Sequence, residues 1–213
     1  GFCLSHNQRI KLKNENYKVL INSSLKKGFV EWGEHLLKKT VKDNSLKKDT
    51  ILITSYLCHP SMANNELSGP ALITKVAKYI KSIKNREYTY RLVIIPETIG
   101  SISYIHKFRK NLKKNIICGF NLSCVGDERE YSFISSKYGN TLSDIALKSA
   151  LIGKKKIKYY SFLERGSDER QYCSPGVNLP VSGFSRSKYG KYKEYHTNAD
   201  NLKLVTQKGL EQS

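Results

Sequence analysis

The stretch "TILITSYLCHPSMANNELSGPALITKVAKYIKSI", residues 50–83, decides the fold. Its first eight residues are a β-branched apolar run with no polar alternation, the pattern of a strand buried on both faces. Its last thirteen, "ALITKVAKYIKSI", carry apolar residues at helical spacing, and Ser68-Gly69-Pro70 marks the helix start, where proline is tolerated in the first turn. Between strand and helix lies a loop rich in polar side chains: His59, Asn64, Asn65 and Glu66.

The same strand, loop and helix rhythm continues outward. "YTYRLVIIP" reads as a second buried strand, "SISYIHKFRKNL" as a helix, "NIICGFNLSCVG" as a third strand and "TLSDIALKSAL" as a further helix. Unbroken apolar strands separated by amphipathic helices predict an α/β fold for residues 46–213, with a mostly parallel central sheet covered on both faces. Residues 1–45 alternate polar and apolar positions in "NYKVLINSSL" and "GFVEWGEHLL" around a basic "SSLKKG". They predict a small N-terminal β-hairpin region, part of an inserted or truncated small domain. The chain opens on Gly1 and closes in the helix-like "TQKGLEQS", so the expectation is a domain truncated at both ends of a longer parent.

At 213 residues with 39% hydrophobic content the chain can bury one sizeable core. No apolar run approaches the roughly 20 residues that cross a bilayer, so no membrane partner is expected. The net charge is +19, but the lysines are scattered through every segment. That pattern reads as a solvated surface, and nucleic acid is not expected as a partner. Self-association is left open. Five cysteines (Cys3, Cys58, Cys118, Cys124, Cys173) form no CxxC pair, and an odd number cannot all pair internally. Cys58, Cys118 and Cys124 fall in apolar runs, which suggests buried free thiols in a reducing cytoplasm.

In open α/β sheets the ligand crevice lies beyond the carboxyl ends of the strands. Those loops can be read off directly. After the first strand come His59, Asn64, Asn65 and Glu66; after the second, Pro96-Glu97-Thr98; after the third, Gly126-Asp127-Glu128; later, "RGSDERQY" and "EYHTNAD". The chain has only 18 acidic residues and 5 histidines, and these loops hold two of the histidines and much of the acid. Histidine and carboxylate from separate strand ends suit a divalent cation such as zinc, with a coordination position left for water. The candidate metal ligands are His59, Glu66 and His196, with Asn65, Asp127 and Asp168 behind them. Glu97 is the candidate proton acceptor for that water. Arg165, Arg170 and Arg186 are candidates to grip a substrate anion, and Tyr195 to donate to a developing oxyanion. "SRSKYGKYKEYH" has the glycine and aromatic content of a lid.

Taken in order, His59, "NNELSG", "PETIGS", "NLSCVGD", "GSDERQYCSPGVNLP" and "YHTNAD" resemble the zinc aminopeptidase superfamily, which includes glutaminyl cyclases and transferrin-receptor-like domains. More closely, they are similar to the bacterial aminopeptidase-like domain family of unknown function, whose members often accompany polysaccharide-biosynthesis genes. The resemblance implies a zinc-dependent hydrolase of aminopeptidase-like type, acting through a metal-bound water on an amide bond of a small peptide or amino-sugar-like substrate. The alternative is a catalytically inactive metal- or ligand-binding domain on the same fold. His59 and His196 match metal-binding histidines, and Glu97 matches the base. Asn65 stands where an aspartate bridges two metals, Thr98 where a glutamate ligates, and Ser123 where a later aspartate ligates, with Asp127 close behind. An amide carries no charge to hold two cations together. The implied centre is therefore a single zinc on His59, His196 and one carboxylate, Glu66 or alternatively Glu97, with Glu97 otherwise the base, Asp127 and Asp168 catalytic, and Arg170 and Tyr195 on the substrate.

Overall fold

Strand β2 (Thr50–Tyr56) lies at the middle of the molecule, parallel to β3 (Thr89–Ile95) on one side and to β4 (Ile116–Leu122) on the other. The computed structural model describes residues 4–42, 45 and 47–213. The sheet has seven strands in the order β1-β3-β2-β4-β7-β5-β6, adding β1 (Gly33–Leu37), β5 (Tyr131–Ile134), β6 (Ile157–Tyr160) and β7 (Val181–Ser185). The four central strands β3, β2, β4 and β7 are mutually parallel; β1 is antiparallel to β3 and β5 is antiparallel to β7. The helices are α1 (His6–Arg9), α2 (Ser68–Ser82), α3 (Ile99–Asn115), α4 (Leu142–Ala150), α5 (Glu169–Tyr172) and α6 (Gln207–Glu211).

Alternate side chains of the strands feed two cores, as the period of a pleated strand requires. Ile53 and Leu92 join Leu72, Ile73 and Ile80 of α2 on one face. Leu52, Val93 and Ile95 join Tyr104, Ile105 and Leu112 of α3 on the other. Each such buried side chain contributes about 1.5–3 kcal/mol of transfer free energy. The chain runs from β2 by α2 to β3, then by α3 back across to β4 on the far side of β2. That reversal of strand order makes the carboxyl ends of β2 and β4 the switch point where an α/β sheet opens a crevice. The start of α2 sits directly on these strands. A Cβ on Gly69 would collide with Ser55 Oγ and come within 2.7 Å of the Leu122 carbonyl, so glycine is what lets the helix approach.

Several elements differ from the reading of the sequence. "GFVEWGEHLL" contributes β1, but its partner is β3 rather than "NYKVLINSSL", which carries no strand and is exposed. Residues 1–3, 43 and 44 of that hairpin reading, and residue 46 of the α/β reading, lie outside the described residues. Strands β5 to β7 were not visible as apolar runs. β7, "VSGFS", is buried at every position yet mostly small and polar. "SRSKYGKYKEYH" is not a free lid: Arg186, Ser187, Lys188, Tyr189 and Tyr192 within it are buried. Tyr189 donates to Glu169 Oε1 at 2.5 Å and Tyr192 to Asp200 Oδ2 at 2.9 Å, which fastens the segment to the body. Cys58 also departs from expectation. It is exposed just past β2, whereas Cys118, Cys124 and Cys173 are buried; Cys3 lies outside the described residues.

Candidate metal centre

Beyond Tyr56 the chain leaves the sheet and turns back through a π-helical turn, Ala63–Leu67, that runs into α2 at Ser68. Such turns are uncommon and cluster at functional sites. Here the turn carries Asn64, Asn65 and Glu66 into the interior, each at most 2% exposed. Its amino end is held by Asp200, whose carboxylate accepts from the amides of Asn64 (2.6 Å) and Asn65 (3.1 Å) and from the Tyr192 hydroxyl. Asn64 then ties the turn to the end of β4, accepting from the Gly126 amide and donating to Asp127 Oδ2.

Glu66 is thereby aimed back at the end of β2. Its Oε2 accepts from the Cys58 amide at 2.7 Å, and its Oε1 lies 3.8 Å from the Cys58 thiol. One donor atom each of Cys58, His59 and Glu66 lies within 4.8 Å of the others. The His196 ring stands edge-on to His59 with centroids 4.8 Å apart, and Tyr195 stacks on His196 at 3.9 Å. The structure thus groups the donor atoms of His59 and Glu66 with Cys58, a residue the sequence assigns to packing, and sets the His196 ring against that of His59, outside that group. Glu66 is fully buried, yet the ion pairs of the described residues do not include it. A buried carboxylate without a partner cation is costly. Imidazole, carboxylate and thiol donors at this spacing therefore fit zinc.

Glu97 follows β3 and is half-buried. Burial pushes its carboxyl up, Glu66 and Glu169 push it further, and Ser167 and His59 pull part of it back. It is presented by an unusual backbone: Thr98 has φ 62° and ψ −71°, and the Ile99 amide donates to the Glu97 carbonyl at 2.7 Å. This is a γ-turn of the strained hand, rarer still at a β-branched residue. Asp168 holds it, its Oδ1 accepting from the Thr98 amide and the Ser101 hydroxyl, both at 2.8 Å. Of the five non-glycine residues with positive φ among the described residues, Thr98, Cys124 and His196 all belong to this end of the sheet. Backbone strain concentrates where a site over-determines its geometry.

The remaining candidates lie elsewhere in the network. Asp127 is buried and accepts from Asn64, the Arg129 amide, and the Ser187 amide and hydroxyl, so its oxygens are occupied by the scaffold. Asn65 Nδ2 donates to the Tyr56 hydroxyl at 2.6 Å, while its Oδ1 is buried without a partner among the described residues. Burial pushes the Tyr195 hydroxyl up to about 12. Arg170 is exposed on α5 and lines a small cleft with Ile102, Ile105 and His106 of α3. Arg186 is not free to grip an anion, being buried over the Tyr131 ring with its Nε donating to the Glu130 carbonyl. Arg165 lies over Phe162. The residues that reading the sequence missed are Cys58, Asp200 and Glu169. A cysteine beside a candidate metal histidine was a signal for the first; Asp200 closes the "YHTNAD" stretch, and nothing marked Glu169.

The fold is similar to that of zinc aminopeptidases and glutaminyl cyclases. The structure superposes on a zinc aminopeptidase from Bacillus subtilis with TM-score 0.70 at 18% identity, covering 84% of this chain and 46% of that one. A glutaminyl cyclase from an Acidobacteriales bacterium matches with TM-score 0.67 at 17% identity, over 86% of this chain and 69% of the other. The chain belongs to the family described as "Domain of unknown function (DUF4910)", which matches residues 13–213. A Clostridium acetobutylicum protein named "Putative polysaccharide biosynthesis protein with aminopeptidase-like domain" is 40% identical over 214 residues, covering 100% of this chain and 47% of that protein. The crystal structure of a "putative peptidase" from the same species aligns with TM-score 0.83 at 39% identity, covering 99% of this chain and 48% of the other. The chain spans about half the length of these relatives. Among the described residues no helix is long and apolar enough to cross a membrane.

Proposed function

We propose that this chain forms the zinc-binding part of an aminopeptidase-like hydrolase that cleaves an amide bond in a peptide or amino-sugar-like substrate. Buried Glu66, outside the ion pairs of the described residues and beside His59, whose ring meets that of His196, carries the proposal. These three residues would hold one ion. Zinc, when bound, polarises the scissile carbonyl and makes a water acidic enough to react near neutral pH. Glu97, more readily protonated than an ordinary glutamate, takes the water's proton and returns it to the leaving amine. Tyr195, whose hydroxyl keeps its proton at neutral pH, donates to the oxygen that gains charge. Asp168 acts through Thr98, and Asp127 through Asn64, to fix where these groups stand. Arg170 would contact an extended substrate only at a distance from the reacting atoms. The name of the Clostridium relative supports a role beside polysaccharide biosynthesis, and the free thiols suit a reducing bacterial cytoplasm.

Asn65 favours a second reading. Its uncharged amide, engaged with Tyr56, stands where the resemblance places a bridging carboxylate, and a domain with one ion can bind ligand without turnover. A panel of aminoacyl and N-acyl-amino-sugar chromogenic amides separates the two, with zinc measured on the same protein. The hydrolase reading expects about one zinc per chain and a turnover that falls about 10²–10⁴-fold in Glu97→Gln with zinc retained. Zinc without turnover leaves the binding domain, and no zinc removes both.

A further inference from the structure

The side chain that neither the motif order nor the relatives' names assign is Cys58. We propose that its thiolate is a fourth protein donor to the metal, completing a set with His59, His196 and Glu66. The inference rests on the metal-binding reading above and adds the sulfur to it.

Three observations carry it. The Cys58 Sγ lies 3.8 Å from Glu66 Oε1, and Sγ, a Glu66 oxygen and a His59 ring nitrogen are mutually within 4.8 Å. Zinc–ligand bonds of about 2.0–2.3 Å at tetrahedral angles put neighbouring donor atoms roughly 3.5 Å apart, so the sulfur stands within a few tenths of an ångström of a ligand position relative to that oxygen. Consecutive residues of a strand point to opposite faces, but β2 ends at Tyr56, and the loop beyond it lets the neighbouring side chains of Cys58 and His59 converge. Packing does not account for the cysteine either. The other three described cysteines are buried, while Cys58 is exposed and its backbone amide is committed to Glu66 Oε2.

On binding, the Sγ–H proton leaves to solvent and a sulfur–metal bond forms. A thiolate shifts the preference of the centre toward zinc and cobalt and away from magnesium, calcium and manganese. It also closes the coordination shell, since four protein donors leave no position for water. A reacting state then needs one donor to withdraw, and Cys58, on the exposed loop, is the one free to do so.

Titration of metal-free protein with cobalt(II), followed by absorption, tests this without reference to activity. Visible d–d bands report a bound ion whatever its ligands; a near-ultraviolet thiolate-to-cobalt charge-transfer band reports sulfur. Both are expected in the unaltered chain. Cys58→Ser should lose the charge-transfer band, keep the d–d bands and bind zinc about tenfold or more weakly. In parallel, zinc should slow alkylation of Cys58, mapped by peptide mass spectrometry, by about tenfold or more. Visible bands without charge transfer, or alkylation indifferent to zinc, overturn the thiolate ligand while the metal site stands. No bands at all overturn the metal reading and this inference together.

Discussion

Asp144 and Asp168 are both fully buried, and their surroundings push them in opposite directions. Asp144, in the first turn of α4, accepts from the Ser136 amide and hydroxyl, the Thr141 amide and hydroxyl, and the Ser182 hydroxyl. Burial alone would raise its pKa, but these donors outweigh it and hold the carboxyl below its ordinary value. Asp168 receives two donors, both on Oδ1; its Oδ2 has none, and Glu97 and Glu169 are close by. Burial dominates there and pushes it up to about 7. The difference separates scaffold from site. Where the fold surrounds a carboxylate with donors it is using it as a crosslink, and where it leaves one short of donors near other acids it is holding charge in reserve. Asn65 Oδ1 falls on the under-supplied side with Asp168; Asp127 falls with Asp144.

The first way to break that division is Asp144→Asn. The amide nitrogen would face hydroxyl and amide donors, so at pH 7 the variant should lose about 2–4 kcal/mol of stability in urea unfolding. Because the folded state binds this proton less tightly than the unfolded chain, Asp144 contributes stability above the ordinary carboxylate range and loses it as pH falls through its depressed folded value. The variant's stability should therefore be flatter than that of the unaltered chain on the acid side, with zinc affinity unchanged. A change in zinc affinity comparable to the loss of stability would place Asp144 in the site.

Asp168→Asn is expected to act in the other direction. The asparagine keeps Oδ1 for Thr98 and Ser101 and puts its amide where Oδ2 has no donor. The folded state binds the Asp168 proton more tightly than the unfolded chain, so this stabilisation is full below the ordinary aspartate range and is lost as pH rises through about 7. Removing the ionisation should leave stability near pH 4 little changed and raise it by about 1–3 kcal/mol at pH 8. A pH–stability curve parallel to that of the unaltered chain would show that Asp168 titrates normally and is ordinary scaffold.

The sequence made the centre of the sheet legible because β2, β3 and β4 are buried on both faces and read as unbroken apolar runs. It hid the other half. β6 is only four residues long, with exposed Lys158 and Tyr159 between half-buried Ile157 and Tyr160, and β7 is buried yet polar because Ser182 and Ser185 take part in internal hydrogen bonding. The placement of His59, Glu66 and Glu97 in loops at strand ends was legible because such a fold puts polar side chains there. Which acids are surrounded by donors was not, because Asp127 takes its donors from residues as far as 63 positions away. Cys58 was misread because an apolar run was extended past the true end of β2 at Tyr56.

The pair Arg129–Glu194 is the mildest probe, since it puts a well-supplied carboxylate on the site side. The guanidinium meets Glu194 through two bonds of 2.8 Å, and with this partner the Glu194 carboxyl is held down to about 2. The contact joins the β4–β5 loop to the segment carrying Tyr195 and His196. Arg129 is substantially exposed, so water and salt screen the pair, and Arg129→Ala should cost less than about 1 kcal/mol. If Glu194 serves only as scaffold, Tyr192 and Asp200 still fasten the segment, and zinc affinity should shift less than about threefold, an effect that shrinks further in high salt. A shift beyond about tenfold would mean that this surface pair, and not the buried tyrosine, sets the position of His196. The donor count around a carboxylate would then no longer tell scaffold from site.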